Sequence, residues 1–251
     1  MSTEFVVVIP ARYGSTRLPG KPLLKLGGRP VIAHVWEKAI RSGASRVIVA
    51  TDDPRIAEAV EGFQGEVCMT ATDHPSGTDR LAEVAAKSSF DTSAIVVNLQ
   101  GDEPLMPPVL IKQVAETLAA QSAAAVATLA APITDIDMMH DPHTVKLITD
   151  RQGRALYFSR APIPWDRSGD TKTLLTCARR HLGLYAYRAG FLQRYQQVAP
   201  SVFEQLEQLE QLRMLAAGEW IQVADAVTEP GHGIDTSADL IAAETQITRG
   251  A

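Results

Sequence analysis

The segment VVVIPARYGSTRLPGKPLLKLGGRP, residues 6–30, joins an apolar run to a basic, glycine-containing loop. The β-branched run at 5–9 predicts a strand buried on both faces, as in a parallel sheet. No Asp or Glu occurs between Phe5 and Trp36. The basic residues of this region are Arg12, Arg17, Lys21, Lys25 and Arg29. Because a loop with charge of one sign attracts the opposite sign, this one predicts an anionic ligand.

Two familiar nucleotide-binding patterns are absent from this loop. Gly14 and Gly20 are too far apart for a G-x-G-x-x-G fingerprint, and Lys21 is not followed by the Ser or Thr of a P-loop. What remains is a turn whose N–H groups can face phosphates while Arg12, Arg17 and Lys21 neutralise their charge. A solvated surface loop is the alternative, but the one-sided charge directly after a buried strand favours phosphate binding.

The composition limits the class of protein. A chain of 251 residues with 45% hydrophobic residues can bury a full core, and we expect one domain over residues 1–251. The formal net charge of -5 and the pI near 5.7 argue against non-specific binding of nucleic acid. No signal peptide and no apolar run of the roughly 20 residues that a membrane helix requires is found. Cys68 lies in an apolar run and predicts a buried thiol in a reducing compartment. We therefore expect a cytoplasmic protein without membrane insertion.

Apolar runs alternate with amphipathic segments through the first half of the chain. Strands are predicted at 5–9, 46–51, 66–69, 94–99 and 123–131, and helices at 30–42, 54–62 and 107–120. This βαβ alternation predicts an α/β fold with an open, mostly parallel sheet between helices. Ligands of such sheets bind at the carboxyl ends of the strands. The loop at 10–22 and the turn QGDEP at 100–104 both follow strand ends, so we expect them to be adjacent.

The second half of the chain is less regular. Strands are predicted at 155–160, 181–188 and 220–227, helices at 201–217 and 236–249, and a loop at 166–173. No change of composition marks a separate domain. We therefore interpret the region of about 155–215 as a smaller substrate or dimerisation lobe inserted in the single domain.

Two aspartates are candidate metal ligands. Asp102 follows a buried strand and could hold Mg²⁺ together with substrate phosphates, although an ordinary Asp-Glu-Pro turn is an equal alternative. Asp235 follows Gly231 and Gly233, whose lack of side chains indicates a close backbone approach. Asp235 or Thr236 could instead cap the next helix. Paired, the two aspartates would complete a magnesium site.

Two further motifs have structural alternatives. In HPSGTDRLAE, residues 74–83, Ser76 and Asp79 form a pattern like a capping box and predict a helix start. That interpretation leaves Gly77 and Arg80 without a role. His181, taken alone, is most simply a structural histidine.

Together these segments resemble the motifs of the 3-deoxy-manno-octulosonate (Kdo) cytidylyltransferase family, in order from about residue 5 to 240. The motifs are PARYGSTRLPGKPL, HPSGTDRLAE, NLQGDEP, LYFSRAPIPW, RRHLGLYAYR, LEQLEQLR and GIDTSADL. The resemblance implies a Rossmann-like nucleotidyltransferase fold and a homodimer. It implies Mg²⁺-dependent transfer of CMP from CTP to Kdo with release of pyrophosphate, which activates Kdo for lipopolysaccharide synthesis. Asp79 stands where the family pattern has Glu, and 166–180 is shorter than expected, which leaves the dimer arm undefined.

The resemblance also assigns roles by position. The nucleotide would be bound by Pro10, Ala11, Arg12, Arg17, Lys21, Gly77 and Arg80. Asp102 and Asp235 would ligate Mg²⁺ and, with Arg12 and Lys21, form the catalytic set. The residues expected around Kdo are Gln100, Arg160, His181, Tyr185 and Glu210. Because a sugar carboxylate suits a fork-shaped donor, Arg160 is the candidate for it.

Three alternatives to this function stay open at the level of sequence. The acceptor could be another acid sugar, such as sialic acid or an 8-amino form of Kdo. A nicotinamide-dependent dehydrogenase shares the βαβ pattern, but the missing glycine fingerprint counts against it. A nucleotide sensor without activity would be expected to lose a metal carboxylate, and both Asp102 and Asp235 are present.

Overall fold

The computed structural model describes residues 3–14, 18–74 and 76–249. The strands are β1 (Val6–Ala11), β2 (Lys25–Leu26), β3 (Arg29–Pro30), β4 (Arg46–Thr51), β5 (Glu66–Met69), β6 (Ile95–Asn98), β7 (Val126–Pro132), β8 (Lys146–Thr149), β9 (Ala155–Ser159), β10 (Arg179–Arg188) and β11 (Ile221–Asp225). The α-helices are α1 (Val31–Arg41), α2 (Pro54–Glu61), α3 (Gly77–Lys87), α4 (Pro108–Ala120), α5 (Ile136–His140), α6 (Thr171–Cys177), α7 (Ala189–Tyr195), α8 (Val202–Glu207), α9 (Gln211–Ala216) and α10 (Ser237–Arg249). A 3₁₀ helix spans Lys21–Leu23.

The central sheet runs in the order β11-β7-β10-β6-β1-β4-β5. β1 is parallel to both of its neighbours, β4 and β6, and the edge strands β5 and β11 are parallel to theirs. β10 is antiparallel between β6 and β7, and β8 and β9 extend the sheet from one end of β10. The predicted α/β fold with a mostly parallel sheet between helices is therefore confirmed.

The sheet is buried on both faces because helices pack against each of them. Successive side chains of a strand point to opposite sides, so each strand contributes to both cores. Val7 and Ile9 of β1 belong to a core cluster that includes buried residues of α1 and α4. Val8 of the same strand packs in a second cluster with residues of α3 and α7. This explains why the central strands read as continuous apolar runs rather than alternating ones.

The predicted starts of two helices are confirmed by their capping hydrogen bonds. At the start of α2, the Asp53 carboxylate accepts a hydrogen bond of 2.9 Å from the N–H of Arg55. At the start of α3, the Ser76 hydroxyl accepts one of 3.1 Å from the N–H of Asp79. These caps satisfy N–H groups that have no partner within the helix. The second cap fixes where α3 begins, next to the loop that follows β1.

Three expectations for the second half need correction. The predicted helix at 201–217 is two helices, because Gln208 takes a left-handed conformation with φ 54° and ends α8. The predicted loop at 166–173 gives way to α6, which begins at Thr171. The inserted lobe at about 155–215 has the wrong bounds, because β10 lies inside that range and in the middle of the central sheet. A role in dimerisation stays a prediction.

Two expectations concern the burial of Cys68 and the absence of a membrane helix. Cys68 is half-buried rather than buried as predicted, because β5 is at the edge of the sheet. Its partial burial still raises the pKa of the thiol. Among the residues that the structure describes, no helix has the length and apolar character needed to cross a membrane.

The segment before α10 lies directly against the loop that follows β6. A methyl group on Gly231 would be 2.3 Å from Cβ of Leu105, and one on Gly233 would be 3.0 Å from a carboxylate oxygen of Glu103. The N–H of Ile234 donates a hydrogen bond of 2.8 Å to the carbonyl of Asp102. The close backbone approach that the two glycines predict is therefore confirmed, and it brings the C-terminal segment to the strand ends.

We expect Gly231→Ala to destabilise the protein by about 1–3 kcal/mol, because the new methyl group overlaps Leu105 and the segment must shift. The free energy of unfolding in urea measures this. Gly183→Ala is the matched control, since among the described residues no atom other than those of its two chain neighbours lies within 4 Å of the new methyl group. Equal stability of the two variants would contradict the close packing.

Candidate active site

A cleft of about 530 Å³ opens at the carboxyl ends of β1 and β6. The loops after these strands touch, because a methyl group on Gly101 would be 2.8 Å from the carbonyl oxygen of Pro10. The expected adjacency of 10–22 and 100–104 is thus confirmed where the structure describes them. The predicted site residues that line the cleft are Pro10, Ala11, Arg12, Lys21, Gly77, Arg80, Gln100, Asp102, His181, Tyr185, Glu210 and Asp235.

An ion cluster lies at the phosphate side of the cleft. The Nζ of Lys21 is 2.8 Å from Oδ2 of Asp102 and 3.0 Å from Oδ1 of Asp235. Lys21 is buried, with 7% of its surface exposed, whereas both aspartate side chains are partly exposed. Burial lowers the pKa of Lys21, but the hydrogen bonds and charges of the two carboxylates outweigh it and leave the pKa above its ordinary value. The lysine is therefore held as an ammonium ion.

Glu103 adds a fourth titratable group to this cluster. Burial, followed by the charges of Asp102 and Asp235, raises the pKa of Glu103 to about 8, against the opposing effect of Lys21. Near neutral pH the side chain is therefore largely a neutral acid. Glu103 is not among the predicted site residues, although it directly follows Asp102 in the same turn. Its raised pKa indicates that the cluster already carries more negative charge than Lys21 alone compensates.

The two aspartates are suitable for Mg²⁺. Their oxygens meet at one point, and Mg²⁺ is usually held in proteins by one or two carboxylates completed by substrate phosphates and water. Within residues 3–14, 18–74 and 76–249, no group of three or more His, Cys, Asp or Glu side chains could hold a metal alone. The donor set therefore fits an ion that shares its ligands with a bound phosphate.

The start of α3 forms the adjoining wall of the cleft. Gly77 faces Pro10 and the amide of Gln100, which a methyl group would meet at 3.8 and 3.9 Å. Arg80 is buried with 4% exposure, and its guanidinium donates hydrogen bonds to Oγ1 of Thr70 and, over 3.2 Å, to Asp52. Both partners follow strands of the sheet. These contacts hold the guanidinium at the wall of the cleft, and its role in binding the nucleotide stays a prediction.

His181 lies on the opposite side of the cleft, next to an irregularity in β10. Between Leu182 and Tyr185 the register of β10 with β7 shifts, and such bulges redirect side chains beside sites. The Nε2 of His181 is 3.0 Å from the hydroxyl of Thr128, which also faces the carbonyl of Leu184 at 2.8 Å. A carbonyl only accepts, so the hydroxyl donates its one hydrogen there and accepts from Nε2–H. Nδ1 is then an acceptor.

Burial lowers the pKa of His181 to about 3, so the ring is neutral at any physiological pH. A neutral imidazole with a fixed tautomer can bind a hydroxyl group but adds no positive charge for an anion. The interpretation of His181 as a structural histidine therefore accounts for only one of its two features. The ring is held by Thr128, yet it also lines the cleft.

Aromatic rings of β10 pack one on the next along the side of the cleft that contains His181. The rings of Tyr185 and Tyr187 stack at 5.7 Å, and His181 packs on Tyr185 at 5.2 Å. Burial raises the pKa of both tyrosines, so both phenols stay neutral. The hydroxyl of Thr78 donates a hydrogen bond of 2.9 Å to Glu210, which joins α3 to the start of α9.

Several residues that line the cleft were not predicted. They are Pro22, His74, Ser76, Thr78, Asn98, Gly101, Glu103, Gly183, Tyr187, Gln208, Leu209, Gln211 and Met214. Oδ1 of Asn98 and Nε2 of Gln211 are buried without a hydrogen-bond partner among the described residues. Their positions in the sequence could have indicated a role in the site, because Asn98 is two residues before the predicted Gln100 and Gln211 directly follows the predicted Glu210. Burial without a partner, which only the structure shows, marks them as groups that a ligand can satisfy.

Of the predicted site residues that the structure describes, Arg160 does not line the cleft. The guanidinium of Arg160 donates to the carbonyls of Pro142, Glu207 and Gln208, at 2.9, 2.7 and 3.4 Å. Pro142 lies between α5 and β8, and Glu207 and Gln208 form the end of α8, so the guanidinium joins these two segments. The assignment of Arg160 to the sugar carboxylate is therefore not supported by its position. Arg17 lies outside the described residues.

An open α/β sheet with a lysine and two carboxylates gathered beside its strand ends suits the binding of a phosphate group together with a metal ion, as in nucleotide-binding proteins. A family model described as cytidylyltransferase matches residues 6–221. A 3-deoxy-manno-octulosonate cytidylyltransferase of Aeromonas hydrophila subsp. hydrophila is 57% identical over 244 residues, covering 94% of this chain and 96% of that protein. One of Yersinia enterocolitica is 56% identical over 240 residues, with the same coverage of 94% and 96%.

Solved structures give the same result. The structure of CMP:2-keto-3-deoxy-manno-octonic acid synthetase in complex with CTP matches with a TM-score of 0.92 and 44% identity, over 99% of this chain and 100% of that one. A cytidylyltransferase of Leptospira borgpetersenii, 17% identical with a TM-score of 0.65 over 98% of this chain and 87% of that one, shares the fold. The chain belongs to the cytidylyltransferases and, within them, to the 3-deoxy-manno-octulosonate cytidylyltransferase family.

The neutral state of His181 predicts a pH dependence of stability. The folded pKa of about 3 lies below the ordinary value of 6.5, so unfolding takes up a proton as the pH falls. This contribution to stability is fully present above the unfolded pKa and is lost as the pH falls toward the folded one.

As the pH is lowered from about 6 to about 4, we expect the free energy of unfolding of the native sequence to decrease more steeply than that of His181→Gln. The difference in slope is up to about 1.4 kcal/mol per pH unit. The Gln amide can still donate to Thr128, which makes it a matched replacement. Urea unfolding at a series of pH values measures both slopes. Parallel slopes would show that His181 is not neutral and buried in the folded protein.

Proposed function

We propose that the protein transfers CMP from CTP to 3-deoxy-manno-octulosonate and releases pyrophosphate, a step that activates Kdo for lipopolysaccharide synthesis. The observation that carries this proposal is the cluster of Lys21, Asp102 and Asp235 at the strand ends of a chain from this family. The relatives are named for this reaction, and the matching solved structure holds CTP. The cleft is large enough for a nucleotide with a small acceptor, at about 530 Å³.

The reaction requires the sugar hydroxyl and the α-phosphorus of CTP to meet in line with the departing pyrophosphate. The protein supplies position and charge rather than covalent chemistry. Arg12 and Lys21 line the cleft beside the two carboxylates and would bind the triphosphate, whose charge grows on the leaving group. Gly77 and Arg80 at the start of α3 would bind the nucleoside.

The acceptor would occupy the side of the cleft that β10 and α9 form. His181, with Nδ1 as an acceptor, and the phenol of Tyr185 offer neutral groups to sugar hydroxyls. Glu210, held by Thr78, offers a carboxylate at the same wall. The guanidinium of Arg160 donates to backbone carbonyls outside the lining of the cleft, so no arginine of the lining is assigned to the sugar carboxylate.

Asp102 and Asp235 would hold Mg²⁺, as their fit to this ion suggests. When bound, the ion would neutralise phosphate charge and lower the pKa of the attacking hydroxyl. In the structure the same two carboxylates contact Nζ of Lys21, at 2.8 and 3.0 Å, so a cation of the chain stands where the ion would bind. No side-chain general base is needed in this proposal.

The proposal includes a cytoplasmic homodimer. Its support is an apolar surface on α8, where Val202, Phe203 and Leu206 are exposed and Phe203 packs edge-on to Tyr157 at 6.4 Å. Exposed apolar clusters of this kind are typical of protein interfaces. A dimer predicts one species of twice the chain mass in sedimentation velocity.

The reaction is tested by pyrophosphate release with Kdo, Mg²⁺ and each of CTP, UTP, ATP and GTP in parallel. We expect release with CTP, and only when Kdo is present. Release with CTP and sialic acid or an 8-amino acceptor, but not with Kdo, would leave nucleotidyl transfer intact and change the acceptor. Binding of CTP without any turnover would favour the alternative of a nucleotide sensor.

We expect Asp102→Asn and Asp235→Asn each to lower kcat at saturating Mg²⁺ by about a hundredfold or more, because each loses charge at the transferring phosphate. Circular dichroism and thermal unfolding check that the variants are folded. Asp225→Asn is the matched control, since Asp225 pairs with Arg179 and does not line the cleft. Activity of Asp102→Asn or Asp235→Asn equal to that of the control would exclude the metal assignment.

A further inference from the structure

The ammonium of Lys21 occupies the point at which the two proposed metal ligands meet. It is 2.8 Å from Oδ2 of Asp102 and 3.0 Å from Oδ1 of Asp235, so these two oxygens are no farther apart than the sum of those distances. Lys21 itself is buried with 7% exposure. One oxygen of each carboxylate is thus already paired with a cation that belongs to the chain.

A divalent ion cannot share this point with the ammonium. Mg²⁺ places its oxygen ligands at about 2.0–2.1 Å in a nearly octahedral arrangement and tolerates little departure from it. An ammonium bonded to Oδ2 of Asp102 and Oδ1 of Asp235 uses the same lone pairs and repels a second cation. For the metal to bind between the carboxylates, Nζ of Lys21 must move.

The backbone of Lys21 is not free to make that movement. Its N–H donates to the carbonyl of Leu18 at 3.2 Å, and its carbonyl accepts from the N–H of Leu24 at 3.1 Å. Gly20, which precedes the 3₁₀ helix, has φ 67°, a conformation that fixes the turn and favours glycine. Only the four-carbon side chain can reorient, and it needs a new anionic partner within its reach.

We propose that Lys21 acts as an internal counter-ion that keeps divalent metal away from Asp102 and Asp235 until a nucleoside triphosphate draws the ammonium to its phosphates. The role rests on the proposed function only in that the two aspartates are the metal ligands. The phosphates give Lys21 its new partner and free the carboxylate oxygens at the same time. Because linkage is reciprocal, metal and triphosphate then bind cooperatively, and the free protein holds metal weakly.

The test is the binding of Mn²⁺, as a probe for Mg²⁺, to the nucleotide-free protein, followed by electron paramagnetic resonance and by calorimetry. We expect Lys21→Met to bind Mn²⁺ at least about tenfold more tightly than the native sequence, since no ammonium then competes for Oδ2 of Asp102 and Oδ1 of Asp235. Lys25→Met is the matched control, because Lys25 is an exposed lysine of the same segment, and no hydrogen bond or ion pair of the described residues joins it to Asp102 or Asp235. The double variant Lys21→Met, Asp102→Asn should lose the gain.

An affinity of Lys21→Met for Mn²⁺ equal to or weaker than that of the control would overturn the proposal. If Lys21→Met does not fold, the Mn²⁺ affinity of Lys21→Gln is measured instead, and the same outcomes support or overturn the proposal. The neutral Gln amide can still donate to one carboxylate. The readout needs neither CTP nor turnover. A protein that fails the pyrophosphate assay can therefore still show the gain in metal affinity, and the two proposals fail separately.

Discussion

The contact of one buried ammonium with two carboxylates determines how the rest of the site is arranged. Lys21 is 81 residues from Asp102 and 214 from Asp235 in the chain, yet its Nζ lies within 3.0 Å of both. A buried charge without such partners would be costly, so the contact can exist only where the fold brings all three segments to one place. The central sheet does this, because the loops after β1 and β6 leave its same edge.

The close packing of backbones at this edge brings the third segment into place. Gly101 lies against the carbonyl of Pro10, and Gly231 lies against Leu105, at distances that no side chain permits. The hydrogen bond from Ile234 to Asp102 then sets Asp235 beside Lys21. The raised pKa of Glu103 belongs to the same arrangement, since it reflects burial first and then the charges of Asp102 and Asp235.

Sequence patterns predicted the first half of the chain better than the second. Strands 46–51 and 66–69 have the predicted bounds, and the first is buried as its apolar β-branched run predicts, whereas the second is at the edge of the sheet and only partly buried. The helix at 201–217 was wrong because its leucine spacing continues through Gln208, whose left-handed backbone no periodicity reveals. Arg160 has a motif typical of a ligand, yet backbone carbonyls compete successfully for its guanidinium.

The sequence by itself determined the α/β class, the basic loop, the two aspartates and the family resemblance, because these depend on local periodicity, on residue type and on order along the chain. Only the tertiary structure decided that Lys21 bridges the aspartates, that His181 is neutral, and that Asn98 and Gln211 have unpartnered polar atoms. These properties depend on distances between segments remote in sequence and on exclusion of water. Neither quantity is set by any one segment alone.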